Sequence, residues 1–140
     1  MRTYDPAQIV IQFGPYILSG YQDGTFVKAG RDGDTFTKYV GTDGEVSRAR
    51  SRNKSGNVEV TLAQTSITND LLSGVQELDE LTGAGVYPFT IKDLNGTTLL
   101  FAPEAWIKKP ADTEYGKEIG PRAWLFDTGK METFTGGSLL

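Results

Sequence analysis

The sequence predicts a mainly β fold, a two-sheet β-sandwich or barrel with one flanking α-helix, and three observations carry that reading. Three Asp-Gly pairs, Asp23-Gly24, Asp32-Gly33 and Asp43-Gly44, punctuate the first third of the chain, each with a glycine to supply the positive φ of a tight turn. Runs with period-two alternation recur on both sides of these turns. One segment only, near the middle, switches to a period of three to four.

The elements follow in order. Ile9, Ile11 and Phe13 alternate with Val10 and Gln12, Phe13-Gly14-Pro15-Tyr16 turns the chain, and Tyr16 to Ser19 continues as a strand. Thr25 to Ala29 and Thr35 to Val40 place Thr, Phe, Tyr and Val at strand positions between the Asp-Gly turns. Val58, Val60 and Leu62 alternate with Glu59, Thr61 and Ala63, the pattern of a strand with one face buried and one wet. Asn69 is placed to cap the helix and Asp70 to meet its dipole, and Leu71, Leu72, Val75, Leu78 and Leu81 are read as its buried stripe. Gly83 ends it. Phe89 to Asp93 and Thr97 to Ala102 flank Asn95-Gly96, a strong hairpin signal, and Trp106-Ile107 and Ala123 to Phe126 add further strands. Residues 108 to 121 read as a long surface loop, and the tail at about 135–140 as mobile. No composition shift or repeat divides residues 1–140, so they are read as a single domain.

Composition limits the chemistry. The 140 residues contain no cysteine and no histidine, which removes disulfides, thiolate nucleophiles, imidazole bases and most zinc sites. The scaling rules give a folded surface near ~7,000 Å² for a compact monomer of this mass. Fourteen basic against 18 acidic residues leave a net charge of −4, the wrong sign for a freely diffusing nucleic-acid binder. The N-terminus, with Asp5 and Pro6, does not read as a secretory signal, and the longest apolar run, Leu99 to Ala102, is far short of the ~20 residues that span a bilayer. No membrane partner is expected.

Known site motifs fail on inspection. Gly83-Ala84-Gly85 begins like a dinucleotide fingerprint, but Pro88 stands where its third glycine belongs. Asp32-Gly33-Asp34 begins like a calcium loop, but Phe36 occupies the fifth position, where an oxygen ligand is needed. Glu77, Asp79 and Glu80 cluster in sequence on what reads as the solvated side of the helix. No catalytic residue, metal site or cofactor is expected.

Residues 45–54 behave unlike a core. Arg48, Arg50, Arg52 and Lys54 alternate with Ala49, Ser51 and Asn53, so a continuous strand would project all four cations from one face. Glu45, Ser47, Ala49 and Ser51 leave the other face polar or small as well. Such a strand buries almost nothing in its own domain and gains its order from a partner. With Lys54-Ser55-Gly56-Asn57 read as the turn into the strand at Val58, the segment at about 41–62 is expected to form a projecting hairpin. A solvated edge strand defended by charge, or a β-barrel module that binds nucleic acid through Arg48, Arg50, Arg52 and Lys54, are the alternatives. Against the second, no aromatic residue interleaves these cations to stack on bases.

The run GTDGEVSRARSRNKSG followed by VEVTLAQTSITND (residues 41–70), with FGPYILSGYQDGTF (13–26), resembles the tail tube subunits of contractile-tailed bacteriophages. The resemblance implies a two-sheet β fold with a flanking helix, assembled as hexameric rings that stack into a hollow tube. It implies as partners other copies of the chain, the tail sheath, the tape-measure protein, and the baseplate and tail terminator proteins, in a virion tail built in the host cytoplasm. DNA passes through such a tube transiently. A tube protein of a related contractile injection system is the near alternative. A DNA conduit should not bind DNA, because each phosphate neutralised by Lys or Arg adds affinity. Six copies would carry a net charge of about −24, which suits a repelling lumen. Glu59, Thr61 and Ala63 are the expected channel-facing positions, and Arg48, Arg50, Arg52 and Lys54 the expected contact between subunits.

Overall fold

A computed structural model describes residues 1–139; Leu140 lies outside the described residues. Among the described residues, a short 3-10 helix at Pro6–Gln8 is followed by ten strands and one α-helix: β1 (Ile9–Phe13), β2 (Tyr16–Ile17), β3 (Val27–Arg31), β4 (Phe36–Val40), β5 (Val46–Arg50), β6 (Ser55–Ala63), α1 (Thr68–Thr82), β7 (Tyr87–Asp93), β8 (Leu99–Lys109), β9 (Pro121–Lys130) and β10 (Glu132–Phe134). The fold is mainly β with two sheets and a helix, as the sequence predicts. Eight strands form one antiparallel sheet in the order β2-β1-β7-β8-β9-β6-β3, with β10 added beside β8, while among the described residues β4 and β5 pair only with each other.

The large sheet curls about its own core. Phe13 of β1 meets Phe126 of β9, three strands away, with ring centroids 5.1 Å apart, and Phe89 of β7 lies 5.0 Å from the same ring. Val58, Val60 and Leu62 point into this core, as their alternation requires. The turn after β1 needs Gly14, whose φ is +59° and whose missing Cβ would lie 2.8 Å from the Tyr87 ring. The helix lies against the core through Thr68, Leu72 and Val75, and Trp124 Nε1 donates to Asn69 Oδ1 at 2.9 Å. Asn69 therefore does not cap the helix: it is one residue inside, and its amide donates back to the Ala63 and Ser66 carbonyls. Gly83 ends the helix with φ +71°, as expected.

Other expectations need correction. Leu71, Leu78 and Leu81 are exposed and do not join Leu72 and Val75 in the core. The expected stripe spans nearly half the helix circumference, and the sheet covers only one side of it. The projecting hairpin is residues 36–50, not 41–62, because β5 pairs backwards with β4 and β6 is taken by β3 and β9. Ser55 to Asn57 already belong to β6 and form no turn. In the tail, expected to be mobile at about 135–140, Thr97 N–H donates to the Gly137 carbonyl and Leu139 N–H to the Asn95 carbonyl, while Leu140 lies outside the described residues.

The accessible surface of 9353 Å² exceeds the expectation for a compact monomer by about 2,000 Å².

Candidate functional site

The β4–β5 hairpin is built from its turn outward. Gly41 N–H donates to the Glu45 carbonyl and Gly44 N–H to the Gly41 carbonyl, with Gly44 at φ +86° and Asp43 Oδ1 accepting from Glu45 N–H. Cross-strand partners share a face, so the register Val40↔Val46, Lys38↔Arg48 and Phe36↔Arg50 puts two valines, three cations and one aromatic ring on one side. Thr37, Tyr39, Ser47 and Ala49 form the other. Every residue of both strands is exposed.

This arrangement changes the basic stripe. The Arg48 guanidinium lies 4.1 Å from the centroid of the Phe36 ring and that of Arg50 5.6 Å, a cation–π stack that holds both arginines along the hairpin. Lys38, opposite Arg48, adds a third cation that the alternation in β5 alone did not reveal. Arg52 and Lys54 fall outside the strand, in the irregular link from Ser51 to Lys54, so the four expected cations do not share one strand face. Ser51 N–H donates to the Thr35 carbonyl, and pairing stops there.

Lys54 is committed within the chain. Its Nζ lies 3.4 Å from Glu132 Oε1, as does Lys130 Nζ, and Arg31 Nη2 lies 3.5 Å from Glu132 Oε2. The hydrogen bonds from Lys130 and Lys54 hold the Glu132 carboxyl below the usual carboxylate range. Lys54 thus fastens the root of the hairpin to the start of β10. Among the described residues, Arg48, Arg50 and Arg52 have no acidic partner in their own chain.

The expected channel-facing positions separate as well. Thr61 is only 8% exposed: it lies between Ala123 of β9 and the Phe26 carbonyl, which accepts its N–H, so it cannot line an open channel. Alternation marks which face a residue takes, not how deep a central strand lies. Glu59 is half-buried on the outer sheet face beside Lys28 of β3 and Leu125 of β9, and Ala63 lies opposite Pro121. Asp127 shares that face, across from Asn57.

Sequence reasoning missed the apolar part of the surface. Tyr39, Val40 and Val46 at the hairpin tip are 69%, 54% and 62% exposed. Their signal was present in the strand run Thr35 to Val40, which reads as ordinary core material until its partner strand is known. The helix acids also divide. Asp79 Oδ1 accepts from Gly85 N–H and closes the helix end, Glu80 accepts from Gln76, and Glu77 is exposed.

Comparison with known proteins adds three findings. A family model described as bacteriophage PhiTE tail tube protein matches residues 17–136. The chain is 31% identical to structural protein ORF10 of Pseudomonas phage KPP10 over 144 aligned positions, covering 97% of this chain and 83% of that relative. Two solved structures share the fold at a TM-score of 0.60. One is the tube-terminating cap of the anti-feeding prophage, at 8% identity over 96% of this chain and 93% of that one. The other is the PVC sheath/tube terminator of an extracellular contractile injection system in its extended state, at 12% identity over 96% and 99%.

Proposed function

The chain belongs to the bacteriophage PhiTE tail tube protein family, and from that premise we propose that it assembles as sixfold rings stacked into a hollow tube through which DNA leaves the virion. The family is a structural one, so the chain is a phage tail component and not an enzyme. The relative from a phage favours a phage tube over the tube of a related injection system.

The observation that carries the assembly reading is the hairpin. Two paired strands with no buried residue are at best marginally stable alone, and this pair is also loaded with like charge. A neighbouring subunit supplies the missing surface, with Arg48, Arg50 and Arg52 as inter-subunit contacts and Lys54 as the anchor behind them. The excess accessible area, about 2,000 Å², is of the size that stable protein interfaces bury. Sheath outside, tape measure inside, and baseplate and terminator proteins at the ends complete the partners, and the tail is put together in the host cytoplasm.

Glu59, with Asp127 beside it, is the proposed channel wall, where a negative lining keeps a passing duplex from sticking. Lys28 on the same face offsets part of that charge. Glu59→Lys should leave assembly intact and reduce genome delivery, since it turns a repelling group into six phosphate-binding ones around each ring. Virions carrying it that deliver DNA normally would remove the channel assignment.

The assembly itself is tested by negative-stain imaging and mass measurement of the purified chain over a range of concentrations. Annular particles or tubes of sixfold symmetry are expected, weakening in high salt. A monomer at every concentration, or tight DNA binding that Arg48→Glu with Arg50→Glu removes, would favour the nucleic-acid module instead. The Phe36 ring offers that module little, because the Arg48 guanidinium already covers one face.

A further inference from the structure

The helix carries a second apolar face that its own chain does not cover. Ile67, Leu71, Leu78 and Leu81, spaced at four, seven and three residues, fall on one line along α1, and Gly74 continues that line with no atom near its missing Cβ. Ile67 is 74% and Leu81 85% exposed. The buried residues Thr68, Leu72 and Val75 flank the line on one side, and the exposed acids Asp70 and Glu77 on the other. An apolar line bordered by carboxylates is a surface for something apolar and basic.

The same chain presents such a segment. The hairpin face holding Phe36, Val40 and Val46 also holds Lys38, Arg48 and Arg50, none of them paired with an acid among the described residues. Its strands are about 17 Å long, and the helix line from Ile67 to Leu81 runs about 21 Å. We propose that the β4–β5 hairpin of one copy lies along the outward apolar line of α1 in a neighbouring copy, its valines on the leucines and its arginines against Asp70 and Glu77. The inference rests on the ring reading above and names the surface that receives the hairpin.

The chemistry of each side fits the other. Arginine stacked on Phe36 keeps its fork of donors free along the edges, where a carboxylate takes two parallel hydrogen bonds. The apolar contact then lies beside these pairs and shields them from salt more than an exposed pair would be. Lys38 and Arg48 repel each other across the free hairpin, and a carboxylate set against Arg48 on docking offsets that repulsion.

The absence of cysteine makes the test direct, since introduced thiols have no competitors. Chains carrying Val46→Cys and chains carrying Leu78→Cys are mixed in equal amounts under mild oxidant; both positions are exposed, so the fold is untouched, and circular dichroism verifies this. A disulfide-linked species of twice the chain mass is expected in the mixture and not in either protein alone. In parallel, Arg48→Glu with Arg50→Glu should abolish assembly, and adding Asp70→Lys with Glu77→Lys should restore it. Annular particles with no cross-link and no rescue would overturn the docking and leave the ring reading standing. Cross-linked pairs without rings would do the reverse. A monomer that neither cross-links nor assembles would overturn both.

Discussion

The large sheet and the β4–β5 hairpin are both antiparallel, and both contain Val, Phe, Thr and Tyr. Yet Val58, Val60, Phe89 and Phe126 are fully buried, whereas Val40, Val46 and Tyr39 are more than half exposed. Backbone pairing is therefore not what separates them. A net gain of about 0.5–1.5 kcal/mol per hydrogen bond is offset by the cost of ordering each residue, and burial decides the balance. The sheet is stable through what it encloses, and the hairpin through what it meets.

The most forceful way to break that comparison is to shorten an aromatic side chain in each region. Phe126→Ala removes a ring that touches both Phe13 and Phe89 and should cost about 3–5 kcal/mol in urea unfolding. Tyr39→Ala, on the hairpin, should change the same measurement by less than about 0.5 kcal/mol. Comparable losses from the two would mean that the hairpin is part of the cooperative core.

The difference also sets what could be read in the sequence. Alternation in Val58–Leu62 and the Asn95-Gly96 turn located the strands of the large sheet, because a strand with one wet face carries its orientation in its own residues. Residues 45–54 read as polar on both faces, and so as needing a partner, but the turn that the sequence offers at Lys54 to Asn57 pairs them with the wrong neighbour. The Asp43-Gly44 turn favours β4 and the Lys54-Gly56 region favours β6, and local chemistry cannot choose between two good turns. The choice is made at long range, where β9 and β3 occupy both edges of β6. Leu71, Leu78 and Leu81 read as core from sequence for a related reason. Period alone marks an apolar arc, and only the packed sheet shows that half of it lies outside.

A smaller effect sharpens the comparison through pH. Tyr21 stacks on Phe26 at 4.5 Å and donates its hydroxyl to the Leu18 carbonyl at 2.8 Å, and burial pushes its pKa up from 10.0 to about 12. The folded state thus holds the phenol proton more tightly than the unfolded chain. Its contribution is fully present below the unfolded pKa and is lost as pH rises through the interval to about 12. Urea midpoints should fall across that window in the wild type. Tyr21→Phe, less stable at neutral pH for want of the hydrogen bond, should fall less steeply, and an equal slope in both would assign the alkaline limb to other groups.

The smallest effect belongs to the hairpin and lies on the acid side. Glu132 is exposed, and Lys130, Lys54 and Arg31 surround it, so its folded pKa is lowered and its sign is opposite to that of Tyr21. The contribution is present above the ordinary carboxylate range and fades as pH falls through the lowered value. Screening by water and salt keeps its effect on global stability small. What it holds is local, because Lys54 closes the link between the hairpin and β6. Glu132→Gln at neutral pH should therefore leave the urea midpoint nearly unchanged and lower the backbone order parameters of Val46–Arg50, measured by NMR relaxation on the unassembled chain. Acidifying the wild type, or raising salt, should lower them in the same residues while those of β6 and β9 hold. If the hairpin stays as ordered without the carboxylate as with it, its root is held by the bond from Arg31 Nε to the Met131 carbonyl and by the pairing of β10 with β8. The ion cluster at Glu132 would then have no part in presenting the hairpin to a neighbour.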